Sequence, residues 1–207
     1  MKIFKDRKSA GKLLAQRLKK TNADLVLGIP RGGVVVAKEV ADQLKVPLDV
    51  LVVRKIGAPF QEELALGAVD PDGEVVWEQG LLSQLTVESE ELKEKIQQGW
   101  KELKRREDVY RAGKSQLDVA GKTILLIDDG IATGATTLSA VRYLKRHKAK
   151  VVLAVPVASK ESANKLSKEA DEVVVLSVPE NFQAVGEFYQ KFLPVSDEEV
   201  IQLLQDE

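Results

Sequence analysis

Cysteine is absent from the 207 residues, which excludes disulfides and thiolate metal sites and makes a reducing compartment, the cytoplasm, the expected setting. An excess of either charge is missing as well. The 31 lysines and arginines meet 32 aspartates and glutamates, leaving a formal net charge of −1. A nucleic-acid binder usually carries a basic surplus and a disordered acidic tail the reverse, so neither is expected. Long hydrophobic runs are lacking: the longest, residues 151–158, is far too short to span a bilayer and contains Pro156. The basic opening, Met1 to Lys8, is followed by no apolar run and does not read as a signal peptide. No repeats or low-complexity tracts occur. What remains, a chain that is 44% hydrophobic, suffices for one well-buried core. A soluble protein is expected, with small molecules rather than nucleic acid or a membrane as partners.

Short β-branched runs alternate with helical patterns, the rhythm of a parallel sheet with crossover helices. A helix is predicted over 9–19, with Leu13, Leu14 and Leu18 on one face, and a strand over 25–29. A Gly-containing turn then leads to a helix over 34–44 and a strand over 48–53. Gly57 and Pro59 mark 54–59 as a loop. Residues 65–69 and 74–77 read as a hairpin around Asp70-Pro71-Asp72-Gly73. From 88 to 111, Leu92, Ile96, Trp100 and Leu103 form one helical stripe among charged residues. This is read as a helical insertion (81–115) packed on the body. After Gly121 come a strand (123–127), a Gly/Thr loop with a helix to 146, a strand (151–157), a helix (161–167) and a strand (172–176). Ser196 to Glu199 forms a capping box for a last helix. The expected fold class is α/β: one mostly parallel sheet flanked by helices, a single domain with a hood and tail over 177–207.

The strongest chemical signal is Ile124-Leu125-Leu126-Ile127-Asp128-Asp129-Gly130-Ile131-Ala132-Thr133-Gly134-Ala135-Thr136-Thr137. An apolar strand delivers two adjacent carboxylates at its C-terminal end, the edge of an open α/β sheet where ligands bind. The following loop offers backbone amides, threonine hydroxyls and a helix N-terminus, which suit a phosphate monoester. The carboxylates repel phosphate and suit hydroxyl donors. Together they describe a sugar with a terminal phosphate and a vicinal diol. Each feature alone has a plain reading, a strand-end turn and a helix cap; the ordered combination carries the signal.

That stretch resembles the signature of type I phosphoribosyltransferases, which bind 5-phosphoribosyl-1-pyrophosphate (PRPP). Gly130 departs from the pattern, a larger aliphatic being commoner there. Gly28-Ile29-Pro30-Arg31-Gly32-Gly33 resembles the family's pyrophosphate loop, with glycines that let amides approach the ligand and a fixed charge on Arg31. It is neither a Walker A loop nor a dinucleotide fingerprint. Arg54-Lys55-Ile56-Gly57-Ala58-Pro59 resembles the start of the mobile catalytic loop; its alternative reading is a solvated strand end.

The resemblance implies Mg²⁺-dependent transfer of the phosphoribosyl group from PRPP to a nitrogen acceptor, a nucleobase in the main reading, with release of pyrophosphate. It assigns the ribose hydroxyls and Mg²⁺ to Asp128 and Asp129. The 5-phosphate falls to Ala132, Thr133, Gly134, Ala135, Thr136 and Thr137. Pyrophosphate falls to Pro30, Arg31, Gly32 and Gly33, with Arg54 contributing to substrate binding. Arg31 and Lys55 join the two aspartates as catalytic residues, and closure over 55–66 excludes water. A non-planar or cis Pro30–Arg31 peptide is also implied. So is a weak preference for 6-oxopurines, since the phosphate loop begins with Ala132 where those enzymes carry an aspartate.

A C-terminal hood at 178–183 would hold the acceptor, with Phe182 stacking on a base and Asn181 or Gln183 reading its edge. The other reading of Phe182 packs it with Phe188, Tyr189 and Phe192. Two further functions stay open: a regulator that binds PRPP or a nucleotide with little catalysis, and a transfer to an amine outside base salvage. His147 reads as a helix-end cation, Trp77 and Trp100 as core or interface, and the charged helix as a surface compatible with a homodimer.

Overall fold

In the computed structural model, residues 3–58, 61–77, 90–113, 115 and 118–205 are described. Helix α1 (Arg7–Leu18) opens on a reciprocal cap: the Asp6 side chain accepts from the Ser9 amide, and the Ser9 hydroxyl accepts from the Asp6 amide. Strand β1 (Leu25–Gly28), helix α2 (Gly32–Leu44) and strand β2 (Leu48–Val50) follow. Next come β3 (Arg54–Ala58), β4 (Gln61–Val69), β5 (Val75–Trp77) and α3 (Glu90–Arg111). The rest is β6 (Thr123–Ile127), α4 (Ala135–Arg146), β7 (Lys150–Val157), α5 (Lys160–Leu166), β8 (Glu172–Ser177), a 3-10 turn (Val185–Phe188) and α6 (Asp197–Gln205).

Five strands form one parallel sheet in the order β2-β1-β6-β7-β8, as the α/β rhythm predicts. Both halves of the chain supply strands to it. Because side chains alternate across a strand, the apolar runs of the central strands split between two faces. Leu25, Leu27, Ile124, Leu126, Val151 and Leu153 pack beneath α4 with Leu138, Val141 and Leu144. Val26, Leu125, Ile127, Val152 and Ala154 meet α1 and α2 through Leu14, Leu18, Val36 and Val40. Sequence order reverses between β1 and β6, so the loops after these two strands flank the topological switch point where open α/β sheets bind ligands.

Some local readings need correction, and one small sheet is added to the expected fold. Residues 54–58 are strand, not loop: β3 pairs antiparallel with β4, and the register shifts at Ile56/Gly57 and Gly57/Ala58. Gly57 marks an irregularity within a strand rather than its end. Pro59 lies outside the described residues. Strands β3, β4 and β5 make a separate three-stranded antiparallel sheet, added to the expected parallel one. Leu13 is 46% exposed, because the face of α1 that meets α2 runs through Ala10, Gly11, Leu14, Ala15 and Leu18. On α3 the buried stripe is Leu92, Gly99, Leu103, Glu107 and Tyr110. Trp100 lies at its edge and donates from its indole to the Pro71 carbonyl at 3.1 Å. Among the described residues no helix is long and apolar enough to cross a membrane.

Candidate active site

The loop after β6 carries Asp128 and Asp129, and the loop after β1 lies against them. A Cβ built on Gly32 would collide with the Asp129 carboxylate, and one on Gly33 would lie 2.9 Å from the Asp128 Cα and 3.0 Å from its Oδ1. Only glycine lets the two loops come this close. The Pro30–Arg31 peptide is cis, the conformation the resemblance implies. The Asp128 carboxylate accepts from the Asp129 amide at 2.8 Å.

Burial raises the Asp128 pKa well above the usual carboxylate range, and the charge of Asp129 raises it further. Lys55, exposed on β3, opposes that rise through its charge. Asp129 is also raised by burial, with Arg7 pulling it back down. Two adjacent, partly desolvated carboxylates disfavour double ionisation unless a cation joins them. Among the described residues no cluster of three or more His, Cys, Asp or Glu could cage a metal. The donor set instead fits a hard cation that takes one or two carboxylates and completes its shell with water and ligand phosphates, as Mg²⁺ does.

Beyond the carboxylates, Ile131 pairs with Ala158 in an isolated bridge. The Ala132 carbonyl accepts from the hydroxyls of Ser159 (2.8 Å) and Ser162 (2.6 Å), which pins the start of the loop to α5. Gly134 sits at a φ of 81° and offers no side-chain cap to α4, so the first-turn amides of that helix keep their donor capacity. Thr133 is exposed, Thr137 is buried, and the buried Thr136 Oγ1 has no hydrogen-bond partner. An orphaned hydroxyl beside an uncapped helix start is what a phosphate oxygen would satisfy.

The other expected residues lie farther out. Arg31 is half-exposed, with Nη1 4.0 Å from the Asp197 Oδ1 on α6; Asp197 also accepts from the Tyr110 hydroxyl at 2.6 Å. Arg54 faces α3, 3.9 Å from the Glu102 Oε1. The segment 55–66, expected to close as a loop, belongs over its described residues to the β3–β4 hairpin. Phe182 rests on Phe188 with ring centroids 5.1 Å apart, among the tail aromatics.

Sequence reading missed Arg7, Ser159, Ser162, Val185 and Tyr189. Arg7 donates to the Asp129 Oδ2 at 2.7 Å, and the Tyr189 hydroxyl donates to the Asp129 carbonyl at 2.6 Å. Val185 fills the space beside Gly130, where an added Cβ would meet its Cγ1 at 2.5 Å. The small residue at Gly130 thus has its counterpart in the hood. Ser159, the side-chain cap of α5, was findable from its place before a helix; nothing local marks the others.

A family model described as a phosphoribosyl transferase domain matches residues 4–192. A curated Mycobacterium tuberculosis protein, provisionally named a phosphoribosyl transferase, is 45% identical over 212 residues, covering 99% of this chain and 47% of its own length. The chain therefore spans about half the length of the curated relatives it matches. The crystal structure of TT1426 from Thermus thermophilus is 43% identical, covers 99% of this chain and 98% of that one, and superposes with a TM-score of 0.81. The APRTase of Giardia lamblia complexed with 9-deazaadenine shares the fold, at 17% identity, 84% and 80% coverage and a TM-score of 0.51.

Proposed function

Because this chain belongs to the phosphoribosyl transferase domain family, we propose that it transfers the phosphoribosyl group of PRPP to a nitrogen acceptor, a nucleobase being the first candidate. The observation that carries this reading is the contact of the Gly32-Gly33 loop with the Asp128-Asp129 pair at the sheet's switch point. A diphosphate on ribose C1 and a diol on the neighbouring C2 and C3 need sites this close together.

In the reaction the bond from ribose C1 to pyrophosphate breaks with its electron pair leaving on the pyrophosphate oxygen, a C1–N bond forms, and the proton lost by the acceptor nitrogen passes to the pyrophosphate or to solvent. C1 becomes cationic and the leaving group anionic, so catalysis rests on positioning and electrostatics. Asp128 and Asp129 accept hydrogen bonds from the ribose hydroxyls and place their negative charge below C1. The amides of the first turn of α4 and the hydroxyls of Thr133, Thr136 and Thr137 hold the 5-phosphate. Gly32 and Gly33 present amides to pyrophosphate, and Arg31 and Lys55 supply positive charge to it. Asp128 and Asp129 would hold Mg²⁺, which offsets the charge of the pyrophosphate. The β3–β4 hairpin is the element placed to exclude water.

The acceptor enters beneath the hood, where Asn181, Phe182 and Gln183 follow β8. With Ala132 at the start of the phosphate loop, no acid is supplied there for a purine N7, which favours acceptors other than hypoxanthine and guanine.

The test is steady-state pyrophosphate release from PRPP against a panel of bases and amines, with and without Mg²⁺. Turnover with at least one acceptor, abolished by a chelator, is expected. PRPP binding with no turnover would leave a regulatory module, and no PRPP binding at all would overturn the reading.

A further inference from the structure

Asp129 is held from two sides by segments that lie far from it in sequence. From the N-terminal side, Arg7, at the start of α1, donates through Nε to the Asp129 Oδ2 at 2.7 Å and through Nη1 to the Leu193 carbonyl at 2.7 Å. Its guanidinium carbon lies 3.8 Å from the centroid of the Phe192 ring, and its side chain is only 11% exposed. From the C-terminal side, the fully buried Tyr189 donates to the Asp129 carbonyl at 2.6 Å.

The two segments are themselves bonded together. Ile3 and Phe4 donate to the Phe188 carbonyl, Gln190 donates to the Phe4 carbonyl and Lys191 to the Lys5 carbonyl. The Phe4 and Tyr189 rings pack at a tilt of 40° with centroids 5.4 Å apart. Arg7 is therefore not a swinging surface cation. Anchored by a carbonyl and a ring that belong to the tail, it presents one N–H to one carboxylate oxygen in a fixed direction. Tyr189 fixes the backbone of the same residue.

We propose that Arg7 and Tyr189 are positioning residues that jointly set the aim of the Asp129 carboxylate toward the ribose diol, so that the paired segments 3–7 and 188–193 control sugar recognition. The inference rests on the function proposed above, since it needs Asp129 to face a ribose. Neither residue touches the phosphate loop, whose contacts run to α5 through Ser159 and Ser162. Sugar and phosphate recognition should therefore separate.

Calorimetry with ribose 5-phosphate and with inorganic phosphate, each in Mg²⁺, tests this separation. Arg7→Gln is expected to weaken ribose 5-phosphate about tenfold, the loss of one charge-assisted hydrogen bond, and Tyr189→Phe about threefold. Inorganic phosphate should bind all variants equally. Arg7→Lys, which keeps the charge but cannot hold both partners, should restore only part of the loss. The double variant should lose less than the product of the single effects, because both residues act through Asp129. Tyr189→Phe removes a single oxygen and keeps the test open if Arg7→Gln folds poorly. Equal losses for both ligands, or no loss for either, would overturn the proposal while leaving the function intact. Wild-type protein that binds phosphate but not ribose 5-phosphate would overturn the function and this proposal together.

Discussion

In β6, four consecutive residues, Ile124 to Ile127, are fully buried and meet apolar side chains on both faces of the sheet. Between the three-stranded sheet and the β2 edge of the parallel one, the buried positions include charges. Arg111 of α3 reaches Asp49 (3.3 Å), Glu107 (3.2 Å) and the Val50 carbonyl (2.9 Å). Asp70, in the β4–β5 turn, accepts from the amides of Asp72 and Glu74 and pairs with Arg146 of α4. The first region is held by area removed from water alone; the second adds directional bonds to an apolar cluster that includes Ile56, Leu66, Val69, Leu92 and Leu103. The two loops of the site grow from the first region, so their spacing inherits the stiffness of a close-packed interior. The hairpin proposed to cover the reaction belongs to the second.

Four substitutions, in falling order of effect, would break or sharpen this contrast. Leu126→Ala, in the middle of the parallel sheet, is expected to cost about 3–5 kcal/mol of unfolding free energy in denaturant titrations. A cost under 1 kcal/mol would mean that the centre of the sheet is not the rigid part. Arg111→Ala should cost less, about 2–3 kcal/mol, by leaving the Asp49 and Glu107 carboxylates without their guanidinium. The decisive reading is hydrogen exchange: protection should fall in α3 and β2 and hold in β6 and β7.

Asp128→Asn should act on the pH dependence of stability. A carboxyl whose folded pKa is raised stabilises the fold below its unfolded value, and that contribution is lost as pH rises through the folded value. Asp128→Asn cannot ionise, so the fall in stability that the wild type shows as pH rises through the folded value should be absent from the variant, while its PRPP binding with Mg²⁺ fails. Melting curves of wild type and variant that shift in parallel with pH would show that the pair is not under electrostatic stress.

The smallest effect belongs to the surface. Arg142→Ala removes a pair with Glu169 whose side chains are 45% and 31% exposed. It should cost at most about 0.5 kcal/mol, and nothing at high salt.

Acid should separate the regions further. Glu102 on α3 is held down to about 2, first by its hydrogen bond to Arg105 and then by Arg106. With its folded pKa depressed, it stabilises above its unfolded value near 4.5 and loses that contribution as pH falls toward 2. Melting of α3 ahead of the parallel sheet below pH 4, followed by residue-resolved exchange, is the expected outcome.

The contrast also explains what could be read from the sequence. The parallel sheet announced itself through apolar runs with turns at their ends, and the two loops proposed to bind ligand through the ordered combination of residue types that each alone would read as a turn or a cap. The β3 strand was hidden because Gly57 carries the same mark whether it ends a strand or bends one. Arg7 and Tyr189 left no trace, since their partner Asp129 lies 122 and 60 positions away and a basic N-terminus or a tail aromatic has many ordinary uses. Val185 could be suspected only after Gly130 was seen to lack a side chain that something else must replace.

The pairing of residues 3–5 with 188–191 also bears on the order in which the protein becomes competent. Synthesis delivers α1 before the 188–193 segment, and Arg7 waits through the 186 positions that separate it from Leu193. A nascent chain that ends before Tyr189 already contains every strand of the parallel sheet and both ligand loops, yet it lacks the partner that turns Arg7 toward Asp129. Phosphate recognition should thus precede sugar recognition during synthesis. A chain arrested before Tyr189 would retain inorganic phosphate without ribose 5-phosphate, so residues 189–193 act as the release of function rather than as an appendage to it.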